Sequence, residues 1–162
     1  MASLNSIRIR KVIVSVLAAG ALLLTLSLVM FYSSAYLFPS ITEEYLSTVF
    51  RNSGKADWLY YAHPFILSIS LKWFWERYKD IFKGPLLLRA IEVALVYGIV
   101  ALLPVLWLTF SVIDVSLKMV LTWMLYGLIQ SFAAGIVFAL QRERALPVDH
   151  FGIAICRSAS LL

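Results

Sequence analysis

The stretch from Leu117 to Leu140 reads LKMVLTWMLYGLIQSFAAGIVFAL, with one charge, Lys118, at its start. Within it Gly127, Ser131, Gly135 and Ala139 recur at every fourth position. On an α-helix this spacing lines small residues along one face, where a neighbouring backbone can come close. A helix of this length covers about 30 Å or more, enough to cross the hydrocarbon core of a bilayer. Small-residue stripes are how helices pack in lipid, where apolar burial no longer drives them together. The rest of the chain reads as further spans arranged to lie against this one.

Composition agrees. Of 162 residues, 62% are hydrophobic and 14% charged, with a mean hydropathy of +0.88. Soluble domains carry about 25% charged and about 45–50% apolar residues. The net charge is +5, but the basic residues stand singly or in small groups at the ends of apolar runs, which argues against a nucleic-acid partner. The single cysteine, Cys156, excludes an intrachain disulfide and any cysteine-pair metal site.

The first apolar run, Val12–Phe31, follows Arg8, Arg10 and Lys11 and holds no charge. A cleaved signal peptide is the competing reading, with Ser33-Ser34-Ala35 as the small-residue site. The run exceeds the roughly 7–15 apolar residues of such a peptide, so an uncleaved first span is expected. Residues 32–57 form the longest polar connection. There Ser40 and Glu43 have capping-box spacing after Pro39. Ile41, Tyr45, Val49 and Phe50 share one helical face. A short amphipathic helix follows, either lying in the membrane interface or packed on the bundle, and Asn52-Ser53-Gly54 ends it.

The second span is expected at 58–75. Trp58, Tyr60 and Tyr61 mark one end and Trp73, Phe74 and Trp75 the other, as in the aromatic belts at the two headgroup levels. Pro64 falls in its first two turns, where a missing N–H costs least, and Asp57 is placed to cap it. Residues 76–88 make a charged hairpin closed by Gly84-Pro85. The third span, 86–110, carries its own small residues at Ala90, Ala94 and Gly98, and Pro104 should kink it. Asp114 is expected to cap the fourth span, 117–140. The expected fold is therefore an all-α membrane protein. A bundle of four transmembrane helices occupies residues 1–144, with a flexible or surface-bound tail over 145–162. A single small-residue stripe could instead serve a homo-oligomer.

Segments 1–11, 76–89 and 141–162 hold ten of the fourteen Lys and Arg residues. With four spans they share one side, and the positive-inside rule places both termini in the cytoplasm.

Polar groups inside a span are functional candidates by default. Glu92 is either a proton- or cation-binding carboxylate or, as expected here, the partner of Arg89 or Lys72 in an ion pair. Lys72 is expected to snorkel to the interface. His63 is isolated from other metal-ligand side chains and is expected to bond a loop backbone. Gln130, the most central polar residue, is expected to hold helices together. No motif for a cofactor, a phosphate-binding loop or hydrolytic catalysis is present, so no cofactor or bound metal is expected.

Four spans with a long, aromatic first external loop resemble small four-span bacterial inner-membrane proteins of unknown function. The resemblance covers residues 12–140 in topology and implies a bacterial inner membrane, with no functional residue carried over. The small multidrug transporters are similar in size, but they place a carboxylate in the first span and Val12–Phe31 has none. The function expected is a non-catalytic scaffold or accessory subunit of a membrane complex. Its partners would be the lipid bilayer and other membrane subunits. The alternatives are a small oligomeric transporter or channel using Glu92 and Gln130, and a lipid-active enzyme using His63, Asp57 and Asp114.

Overall fold

Backbone N–H and C=O groups must be paired wherever water is excluded, and a helix pairs them within its own segment. The computed structural model describes residues 2–45, Ser47 and 57–145. Among these the elements are α1 (Ala2–Leu37), α2 (Pro39–Tyr45), α3 (Asp57–Tyr78), α4 (Leu86–Tyr97), a π-turn (Gly98–Leu102), α5 (Leu103–Val112) and α6 (Leu117–Ala145), with no strand among them. The expected roles of Val49, Phe50, Asn52-Ser53-Gly54 and the tail beyond Ala145 lie outside the described residues.

Among the described residues three stretches are long and apolar enough to cross a membrane: Ile9–Leu37, Leu86–Val112 and Leu117–Glu143. The expected second span, 58–75, is helical within α3 but is not among them. Its tyrosines, serines, His63 and Lys72 dilute the hydropathy of its aliphatic residues. The helices also overrun the expected boundaries. In α1, Ser33-Ser34-Ala35 lies inside the helix, and the Ser34 hydroxyl donates to the Phe31 carbonyl at 2.9 Å.

Pro104 is accommodated by the π-turn just before it. Proline has no N–H to donate four residues back and its ring crowds that carbonyl. The Leu103 N–H instead reaches five residues back to the Gly98 carbonyl, which widens the turn as a π-bulge does. Between α3 and α4, Gly84 adopts φ +98°, a conformation that favours glycine because it has no Cβ.

Helix α1 runs antiparallel to α3 and to α6, and α4 antiparallel to α6, as their contacts show. Between α1 and α3, Phe65 fills the space over Gly20 and the Ser68 hydroxyl donates to the Val16 carbonyl at 2.8 Å. Between α1 and α6, Tyr126 reaches Met30 and Gln130 reaches Ser27. The tightest approach joins α4 and α6. A Cβ added at Gly135 would stand 3.0 Å from the Cα of Ala90. Farther along, Gly98 lies under Leu128 and Gly127 under Leu102. The small residues of α4 and α6 thus face each other, with Ala90, Ala94, Ser131 and Ala139 buried.

The resulting order differs from the order along the chain. Helix α3 packs on α1 and α6, whereas α4 packs on α6, so the two arms of the α3–α4 hairpin lie on different flanks. The larger core cluster includes Leu23, Leu71, Trp75, Val93 and Phe138. A smaller one, Ile41, Leu106, Val115, Met119 and Val120, closes the other end. Ile41 brings α2 into that second cluster, so α2 is packed on the bundle. Pro39 takes the first position of α2, leaving Ser40 inside the helix. The expected Ser40–Glu43 box would need Ser40 in front of it; proline at the first position is the alternative start.

Candidate functional site

The buried polar side chains form a seam along α1. Gln130 donates from Nε2 to the Ser27 hydroxyl at 2.8 Å, and Ser27 donates in turn to the Leu23 carbonyl at 2.8 Å. The Tyr126 hydroxyl donates to the Met30 carbonyl at 3.0 Å. Toward the hairpin end the Ser15 hydroxyl donates to Gln141. Ser131 turns back on its own helix, to the Gly127 carbonyl at 2.8 Å. These bonds let polar atoms sit in a dry interior without the desolvation cost of an unpaired group.

At the hairpin end the charges are gathered. Lys72 is buried along its stem, and its Nζ lies 2.8 Å from Glu76 Oε1 and 5.2 Å from the centre of the Phe138 ring. The expected pairing of Lys72 with Glu92 is not found: its partner is Glu76, one turn on. The reason is topological, since α3 and α4 occupy different flanks. Lys79 holds the other oxygen of Glu76 at 2.7 Å. Burial alone would raise the Glu76 carboxyl, but the hydrogen bonds and charges of Lys72 and then Lys79 outweigh it and hold it below its ordinary value of 4.5. Trp75 stacks on Phe82 at 5.9 Å beneath this cluster. Arg142 of α6 donates to the Lys79 carbonyl and lies 3.0 Å from Asp80, clamping the hairpin to the end of α6.

Glu92 departs from its expected pairing. Its Oε2 is enclosed and meets no hydrogen-bond donor, and Arg89 Nε, one turn earlier, is likewise enclosed without an acceptor. Arg89 reaches instead to Glu143 on α6, at 3.8 Å.

At the opposite end Ser116, not Asp114, caps α6. The Met119 N–H donates to Ser116 Oγ at 3.2 Å, the bond a serine N-cap makes. Asp114 is exposed. Sequence reasoning missed the partner of this cap, Glu44 of α2. Its two oxygens accept from the Ser116 N–H at 2.5 Å and from the Ser116 hydroxyl at 2.6 Å. A carboxylate there also suits the positive end of the helix dipole. Trp123 donates from its indole to the Tyr45 hydroxyl beside it. An open hollow of about 420 Å³ at this end is lined by Ser40, Ile41, Glu44, Ser116, Leu117 and Lys118. His63 is exposed, next to the fully buried Pro64.

Among the described residues no group of three or more His, Cys, Asp or Glu side chains could hold a metal ion. No family model matches the chain, and no curated protein or solved structure matches it.

Proposed function

We propose that this chain is an integral membrane protein with four spans, both termini cytoplasmic, serving as a scaffold or accessory subunit of a larger complex in a bacterial inner membrane. The observation that carries this reading is the use made of its polar groups. Gln130, Ser27, Tyr126, Ser68 and Ser15 each tie one helix to another, so the interior is built for rigidity. Long apolar side chains such as Trp107, Ile99 and Val100 cover its outer faces, as lipid or a neighbouring subunit requires. Support for α3 as the fourth span is its register against α1. Tyr60 lies beside Ser27 and Ser68 beside Val16, so α3 runs at the same depth as an apolar helix. The charge clusters of residues 8–11, 76–89 and 142–144 at one end support a cytoplasmic placement of that end.

Extraction from native membranes in mild detergent, followed by native sizing and mass spectrometry, tests the assignment. An unrelated membrane protein co-migrating in fixed stoichiometry is the expected result. A chain that migrates with no other protein and moves solute across proteoliposomes overturns it.

The unpartnered oxygen of Glu92 favours a second reading, an oligomeric transporter, in which Glu92→Gln abolishes flux. Gln130 has no part in that version, being bonded to Ser27. For the lipid-enzyme reading, the hollow at the relevant end is lined by Ser40, Ile41, Glu44, Ser116, Leu117 and Lys118, with neither His63 nor Asp114 among them.

A further inference from the structure

We propose that the hairpin end of this chain binds the headgroups of anionic phospholipids through Arg10, Lys11, Arg77 and Lys83. The inference rests on the membrane-embedded reading and names the lipid that this surface selects. At that end Glu76 is engaged by Lys72 and Lys79, Asp80 by Arg142 and Glu143 by Arg89. Arg10, Lys11, Arg77 and Lys83 are exposed, and none of them is joined to a carboxylate among the described residues. These cations are left for an anion from outside the chain.

Their positions put that anion at the membrane surface. Arg10 and Lys11 stand in the first turn of the apolar stretch Ile9–Leu37. Helix α1 begins at Ala2, so they lie toward its positive end, where the dipole supplies no counter-charge. Ile13 and Leu17 project on the same side of α1 as Arg10 and are exposed. Helix α3 repeats this order on its own outer face. Ile66, Ile69 and Trp73 are exposed in line, and exposed Arg77 follows one turn beyond Trp73. The bond from Ser68 to the Val16 carbonyl sets the antiparallel register, which brings Arg10 level with Phe74 and about one turn from Arg77. Apolar surface, then an aromatic ring at the headgroup boundary, then a cation matches the order of acyl chain, interface and phosphate in a phospholipid.

The charge decides which lipid. A zwitterionic headgroup carries an ammonium beside its phosphate and offers these cations no net charge. An anionic headgroup does, and each surface Lys or Arg strengthens its attraction by about fivefold. An acidic protein segment is the other source of negative charge, and it would be served by cations gathered in one cleft. Here they are distributed over α1, α3 and the turn at Lys83, at the ends of outward apolar faces, so lipid is the occupant that fits.

The test uses the full chain. Alkaline carbonate extraction comes first: release from the membrane overturns the membrane reading, and the lipid site with it. Protein retained in the membrane is then purified in mild detergent and incubated with equal amounts of phosphatidylglycerol and phosphatidylcholine of the same acyl chains. After repurification its bound lipid is measured by mass spectrometry. Phosphatidylglycerol should be preferred by about tenfold or more. Arg10→Gln combined with Arg77→Gln should reduce that preference by about tenfold or more, whereas Arg10→Lys with Arg77→Lys should keep it. Lys118→Gln, at the opposite end, should leave it unchanged. If the glutamine variant fails to fold, the wild type still decides. Raising salt from about 0.1 M to about 1 M shortens the Debye length from about 10 Å to about 3 Å and should lower the preference. A retained wild type that binds both lipids equally overturns the lipid site alone. So does a preference indifferent to salt or kept by the glutamine variant, or an acidic protein held at these residues in place of lipid.

Discussion

Replacing Gly135 by alanine tests how closely α4 and α6 are joined. The new Cβ would lie 3.0 Å from the Cα of Ala90, 3.3 Å from its carbonyl oxygen and 3.4 Å from its Cβ. Backbone atoms of a packed helix cannot rotate aside, so the two helices must separate. A gap of 0.5–1 Å along a seam loses roughly a quarter to a half of each dispersion contact. Overpacking of this kind costs about 1–3 kcal/mol. The gain from removing a mid-helix glycine, about 0.8–1.0 kcal/mol, offsets part of it. A net loss of about 1–2 kcal/mol follows from the upper half of that range, or about 2–8 °C in Tm for a chain of this size. Gly127 supplies the contrast. Its added Cβ would meet Leu102 Cδ1 at 2.6 Å, nominally a worse clash, but with the free end of a flexible side chain. Leu102 can turn away, so Gly127→Ala should be neutral within about 0.5 kcal/mol or stabilising. Thermal unfolding of both variants in detergent decides the matter. If Gly127→Ala proves the more damaging, or Gly135→Ala raises Tm, the close backbone approach is refuted.

Gln130→Leu, which removes the bond to Ser27, should cost about 0.6 kcal/mol and at most about 1.7, and a double-mutant cycle with Ser27→Ala should recover that coupling. Glu44→Ala removes the carboxylate from the start of α6 and should cost about 1 kcal/mol; hydrogen exchange should speed up at the Ser116 amide, while the centre of α6 stays protected. Glu76 titrates below its ordinary 4.5 in the folded protein. Its pairing with Lys72 and Lys79 therefore contributes stability above about pH 4.5, which is lost as pH falls through the lower folded value. A stability profile in acid should be flatter for Glu76→Gln than for the wild type, and unequal slopes above pH 6 would contradict this origin.

Much of the helix inventory was legible in the residues themselves. Uncharged runs such as Val12–Phe31 leave helix as the simplest way to pair the backbone. The same reasoning located the turn at Gly84-Pro85 and marked Pro104 as a place where regular α-geometry fails. It could not tell that the answer there is a π-turn, because a kink and a bulge both relieve the missing N–H. The polar candidates were only partly legible. Gln130 stood out as a central amide, but Ser27 as its partner depends on how α1 and α6 slide along each other. Ser116 competes with Asp114 for the same cap, and both residue types suit it; Glu44, 72 residues away, is what engages Ser116.

Local periodicity, charge spacing and hydropathy therefore determined which segments are helices, which faces hold small residues and where the basic ends gather, since these properties repeat within a few turns. The tertiary structure alone decided which helix lies beside which. Chain order places α3 next to α4, and on that basis Lys72 and Glu92 look like partners. Packing sets α3 against α1 and α4 against α6, giving Lys72 to Glu76 and leaving Glu92 without a donor. The lateral order of helices follows from the sum of side-chain fits between distant segments, and no stretch of sequence contains that sum.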